Sequence, residues 1–214
     1  MLAPTLLTLV ALILLLSGEI RAHAPTIRIA KPLASTGFVL AGLAAGGLHS
    51  GYGQAIMVAL ALGWVGDVCL LSRRTVWFTL GLLAFLLAHV ALGTAFVMRD
   101  PALGWVLGSA VPLLVIALTV RHRLMPYVPS GLRRPVDAYV LVISTMVALA
   151  VGAAAGGATM LIPVGAIAFY LSDLSVAQDR FVEPTLRTRL WGLPLYYAAQ
   201  LVLAASIAAT SIAR

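Results

Sequence analysis

Apolar runs of about twenty residues recur along the whole chain, more than the core of a soluble domain could bury. Crossing a hydrocarbon core about 30 Å thick takes about 20 apolar residues in a helix, the open segment that satisfies its own backbone groups there. Eight stretches meet that requirement: Leu2–Ser17, Pro32–Leu48, Gln54–Leu71, Thr75–Met98, Ala102–Val120, Asp137–Ala154, Thr159–Ala177 and Leu190–Ile212. Only 10% of the 214 residues are charged and 62% are hydrophobic, against roughly 25% and 45–50% in water-soluble domains. The sequence predicts an all-α integral membrane bundle of about eight transmembrane helices, a single polytopic domain over residues 1–214.

The basic residues orient this bundle. Short cytoplasmic loops collect Lys and Arg, and here alternate loops hold twelve of the fourteen: Arg21, Arg28 and Lys31; Arg73 and Arg74; Arg121, Arg123, Arg133 and Arg134; Arg180, Arg187 and Arg189. Both termini are therefore expected away from the cytoplasm, with Arg99 and Arg214 on that far side. The net charge of +7 reads as topology, with no nucleic-acid partner, and the expected setting is a bacterial inner (cytoplasmic) membrane. A signal peptide cleaved near Ala22-His23-Ala24 competes for the first run. It is opposed by charge order, since signal peptides carry their basic residues before the apolar core and Arg21 follows it. Ala44-Ala45-Gly46-Gly47 before a span ending in Asp67 is echoed by Ala154-Ala155-Gly156-Gly157 before one ending in Asp173. A parallel repeat of four spans each would produce that echo, and so would the ordinary abundance of Ala and Gly in membrane helices.

An ionisable side chain within a span costs on the order of 3 kcal/mol to insert and marks a functional candidate. Asp67 lies six residues before Arg73 and Asp173 seven before Arg180, which puts both carboxyls about 9–10 Å below the cytoplasmic boundary at 1.5 Å per residue. Two acids at one depth could share a cavity open toward the cytoplasm, with Lys31 at its mouth. Asp137 and Asp179 belong nearer water. His89 falls in mid-span, and Tyr139, Tyr170, Tyr196 and Tyr197 are cavity-lining or interfacial candidates. The dispersed histidines and the sole cysteine, Cys69, form no metal set and no disulfide framework, and no cofactor is expected.

These residues sit in pieces whose order and spacing resemble the YhhN-like lysoplasmalogenases, polytopic membrane enzymes. The pieces are Lys31-Pro32-Leu33, Gly66-Asp67 with Leu70, Ala88-His89, Tyr139 with Met146, Gly165-Ala166 through Phe169 to Ser172-Asp173, Arg180-Phe181, and Tyr197 with Gln200. Members often carry an aromatic residue shortly after the span-four histidine, where this chain has Leu92. The resemblance implies hydrolysis of the vinyl ether bond of a lysoplasmalogen, a lysophospholipid of the bilayer, releasing a fatty aldehyde and a glycerophospho-alcohol. It points to Asp67 and Asp173 as the catalytic acids, with Lys31, His89, Arg180, Tyr139, Tyr197 and Gln200 as substrate-binding or supporting groups. Vinyl ethers are cleaved by carbon protonation, and paired carboxyls, one holding a proton while the other stays ionised, suit that chemistry. A small proton-coupled transporter or lipid flippase using the same aspartates is the alternative.

Overall fold

The computed structural model describes residues 1–72 and 74–212; Arg73 and Arg214, both used in the charge argument, lie outside them. Eight long helices run through the described residues, with no strand among them: α1 (Leu2–Ile20), α2 (Ala24–Ala44), α3 (Gly51–Cys69), α4 (Thr75–Val97), α5 (Leu103–Leu124), α6 (Arg133–Ala155), α7 (Leu161–Ala177) and α8 (Leu186–Ile212). Each is long and apolar enough to cross a membrane. The expected spans correspond one for one, but several helices begin earlier than the apolar runs do. Pro25 stands in the first turn of α2, where its fixed φ suits a helix start, so Arg28 and Lys31 lie inside that helix and not in a loop. Arg121 likewise extends α5, and Arg133 opens α6.

Neighbouring helices pair as α1 with α2, α3 with α4, α5 with α6 and α7 with α8. Contacts of α2 with α3, α4 with α6, α6 with α7 and α2 with α8 then close a ring of six helices, α2–α3–α4–α6–α7–α8. α1 packs outside the ring against α2 and α8, while α5 packs outside it against α6. The main core fills the ring with large buried side chains, among them Phe38, Leu60, Phe96, Phe169, Tyr197 and Leu203. Many leucines, valines and isoleucines are exposed on the outward faces of the helices, as expected of surface facing lipid tails. A second, smaller core of Leu124, Val128 and Val136, backed by Phe181, joins the α5–α6 connection to the end of α7.

Glycines set how closely the ring helices approach. A Cβ on Gly66 of α3 would lie 2.6–2.8 Å from three ring atoms of Phe85 on α4, so only glycine admits that ring beside Asp67. Gly66→Ala is therefore expected to lower the thermal unfolding midpoint in detergent by several degrees, on the order of 1–3 kcal/mol of overpacking. Gly104→Ala, on the outward face of α5 with no atom within 4 Å, serves as the control and should leave the midpoint unchanged or raised.

Candidate functional site

The two intramembrane acids occupy different surroundings. Asp67, in the last turn of α3, is fully enclosed, its side chain 3% exposed. Lys31 and Ser35 of α2 are four residues apart and so share one helix face. Lys31 Nζ lies 3.3 Å from Asp67 Oδ1, and Ser35 donates to Oδ2 at 2.7 Å. Tyr196 of α8 donates to the same oxygen at 2.8 Å. A carboxylate with a cation and two hydroxyl donors is the combination that makes a buried charge tolerable. Tyr197 braces the arrangement, its hydroxyl donating to the Lys31 carbonyl at 3.2 Å and standing 3.3 Å from Ser35 Oγ.

Asp173, on α7, has no lysine or arginine partner among the described residues. Tyr139 of α6 donates to its Oδ2 at 2.5 Å, and His89 Nε2 of α4 stands 3.6 Å from that same oxygen. The His89 ring leans on Phe169, with centroids 4.5 Å apart, and meets Tyr139 edge-on. Asp173 is 15% exposed, and what it is exposed to is an apolar cavity. Phe85 and Leu82 of α4, Val140 and Ile143 of α6, and Tyr170 and Leu174 of α7 form part of its wall. The last turn of α5 adds Val120 and Leu124.

The expectation of one chamber shared by both acids is therefore modified: the cavity wall includes Asp173 and not Asp67. The Tyr196, Phe169 and Phe85 rings pack edge to face between the two clusters, although the acids remain near enough for their charges to interact. Of the other sequence candidates, Gln200 is buried beside Gly63 and Tyr196. Arg180 sits past the end of α7 with its guanidinium 4.2 Å from the Phe78 ring centre. Asp137 pairs with Arg121 at 2.7 Å on the surface, and Asp179 pairs with Arg189, which also bridges to Glu19 on α1. Ser35 escaped the sequence reading, though its i+4 spacing from Lys31 on a helix would have revealed it. Tyr196 was only one cavity candidate among four tyrosines.

The sequence profile of the YhhN family matches residues 26–207. The chain belongs to that family. Its relatives include three mammalian proteins. Lysoplasmalogenase TMEM86B of Sus scrofa is 34% identical over 178 residues, covering 82% of this chain and 72% of its own. Lysoplasmalogenase TMEM86A of Bos taurus is 32% identical and lysoplasmalogenase TMEM86B of Homo sapiens 33%, each over 159 residues. These matches cover 71% and 73% of this chain, and 64% of either relative, so the YhhN chain spans less than two-thirds of both. No solved structure matches it significantly. The YhhN match takes in every ring helix and both acid clusters, and with eight apolar helices the chain is an integral membrane protein.

The Lys31–Asp67 pair carries a stability prediction. Lys31→Met should destabilise the protein by about 3–5 kcal/mol, because an anion is left buried without its partner. Adding Asp67→Asn should recover part of that loss, and a double-mutant cycle from unfolding in detergent should show favourable coupling of about 1–3 kcal/mol. Strictly additive losses would mean that the two groups do not act as a pair.

Proposed function

We propose that this chain hydrolyses the vinyl ether bond of lysoplasmalogens, releasing a fatty aldehyde and a glycerophospho-alcohol. One observation carries the reading: a carboxyl with no lysine or arginine beside it among the described residues, Asp173, faces an apolar cavity inside the membrane, in a family whose relatives bear the name lysoplasmalogenase. Asp173 is the acid because its described neighbours, a phenol and an imidazole, supply no permanent cation. Asp67 is the permanent anion because Lys31 neutralises it.

In the reaction, the Asp173 proton passes to the alkenyl carbon one removed from the ether oxygen. The double-bond electrons form the new C–H bond, and the positive charge is shared by the adjacent carbon and the oxygen. The Asp173 carboxylate just formed faces that cation, and the Asp67 charge adds to its stabilisation across the aromatic partition. Water adds to the cationic carbon and returns a proton to Asp173. The hemiacetal then breaks its bond to the glyceryl oxygen, which takes a proton from Asp173 while the hydroxyl gives its proton back to that carboxylate, leaving aldehyde and alcohol with one water consumed. Tyr139 holds the orientation of Asp173, and His89 backs the same oxygen. Arg180 stands in the turn after α7, seven residues beyond Asp173, which suits a phosphate a few bonds from the vinyl ether.

The two acid clusters also support the four-plus-four repeat. Asp67 on α3 is addressed from α2, the helix before it, and from α8 of the other half. Asp173 on α7 is addressed from α6, the helix before it, and from α4 of the other half. The distribution of Lys and Arg supports termini facing away from the cytoplasm of a bacterial inner membrane. Alkaline phosphatase fused to the C-terminus is then expected to be active outside the cytoplasm, and an inactive fusion beside an active cytoplasmic reporter would reverse the orientation.

The deciding assay is aldehyde release from purified protein and lysoplasmalogen in detergent, scored by mass spectrometry. Asp173→Asn and Asp67→Asn should each lower the rate by at least about 100-fold. Tyr139→Phe should lower it by about tenfold, the scale of one hydrogen bond to a charged group. Undiminished release by the folded aspartate variants would refute the assignment. Movement of lipid across sealed vesicles without aldehyde would replace hydrolysis by transport.

A further inference from the structure

The cavity that reaches Asp173 is closed toward the cytoplasm and weakly closed toward the bilayer. Its cytoplasmic end is roofed by the second core, in which Leu124, Val128 and Val136 are buried. There Phe78 of α4 stacks edge-on against Phe181 with centroids 5.6 Å apart, and Arg180 covers the Phe78 ring. Axial entry from the aqueous phase is thus stopped by apolar side chains.

The flank toward α5 differs. In the first half of the chain the outer helix α1 seals against two ring helices, α2 and α8. It buries Leu12 and Leu15, and its Thr8 hydroxyl donates to the Ala34 carbonyl. The corresponding outer helix of the second half, α5, packs on α6 and makes no comparable contact with α4. Among its residues only Leu124, at the very end, is buried. The cavity nevertheless uses this end of α5 as a wall, with Val120 and Leu124 joining Leu82 of α4. This end of α5 is anchored to α6 and to the segment after α7 but not to α4, and an unanchored edge that is lined with aliphatic side chains and faces lipid is what a bilayer-resident chain could pass.

We propose that the seam between α4 and the C-terminal end of α5 is a lateral portal through which a single-chain lysolipid enters from the bilayer. In the bound state the vinyl ether lies at Asp173 and the rest of the alkenyl chain trails through the seam between Leu82 and Val120 into the lipid tails. The occupant is a single lipid chain because the lining is apolar along its length and a carboxyl stands in its wall. The proposal rests on the hydrolase reading for the chemistry at Asp173, but the portal itself is tested by binding.

The probe is a saturated ether lysolipid, which cannot be cleaved, with a diazirine in its chain, photolysed with the full-length protein in vesicles. Labelling that excess unlabelled lysolipid suppresses is expected on the α4 segment around Leu82 and the α5 segment around Val120. Suppressible labelling confined to the α2–α3 groove at Thr36, Leu40 and Trp64, or labelling nowhere suppressed, would overturn the portal. In parallel, Leu82→Trp and Val120→Trp should lower kcat/KM for a long-chain lysoplasmalogen by at least about tenfold relative to a short-chain, water-soluble analogue. Equal losses on both substrates would contradict lateral entry. Suppressible labelling at the seam without aldehyde from either substrate would leave the portal standing and reject the hydrolase.

Discussion

An ammonium and a carboxylate held together where water is scarce form the constraint on which this structure turns. Lys31 and Asp67 come from different helices, and neither could remain charged in the membrane alone. Their attraction, with the hydroxyls of Ser35 and Tyr196, draws α2, α3 and α8 to one point. The second acid, Asp173, has a phenol and an imidazole beside it and no lysine or arginine among the described residues. The ring of six helices thereby holds two carboxyls of unlike character with aromatic rings between them.

The rest of the ring keeps that difference in place. Phe85 lies against Gly66 on one side and against Phe169 and Tyr196 on the other, so the partition is built from packed rings. Surface pairs such as Arg121 with Asp137 join helix ends and contribute little energy when exposed. Arg189 is the more consequential stitch, since it ties α1 to the segment after α7 through Glu19 and Asp179. The outer helices then play unequal parts: α1 is locked to two ring helices, and α5 is attached to α6 and, at its last turn, to the segment after α7.

The membrane architecture was legible because hydropathy is local: a run of apolar residues long enough to span needs no knowledge of its neighbours. The acids were legible for the same reason, as charges inside such runs. Helix starts were misjudged wherever a cation belongs to the helix, as Lys31 does, because its partner Asp67 lies 36 positions further on in the sequence. The shared chamber was misjudged for a related reason. Tyr196 reaches Asp67 from α8, and His89 reaches Asp173 from α4, so the contacts that separate the two sites join opposite halves of the chain. No spacing in the sequence encodes them, whereas the Lys31–Ser35 spacing does encode a shared face.

In the proposed mechanism Asp67 is ionised by its pairing with Lys31 while Asp173 holds the transferable proton. Infrared difference spectroscopy on protein with isotopically labelled aspartate reads this directly, through the carbonyl stretch of a protonated carboxyl at neutral pH. The account predicts one such band, absent from Asp173→Asn and retained in Asp67→Asn. A band that vanishes with Asp67→Asn and persists in Asp173→Asn would contradict it.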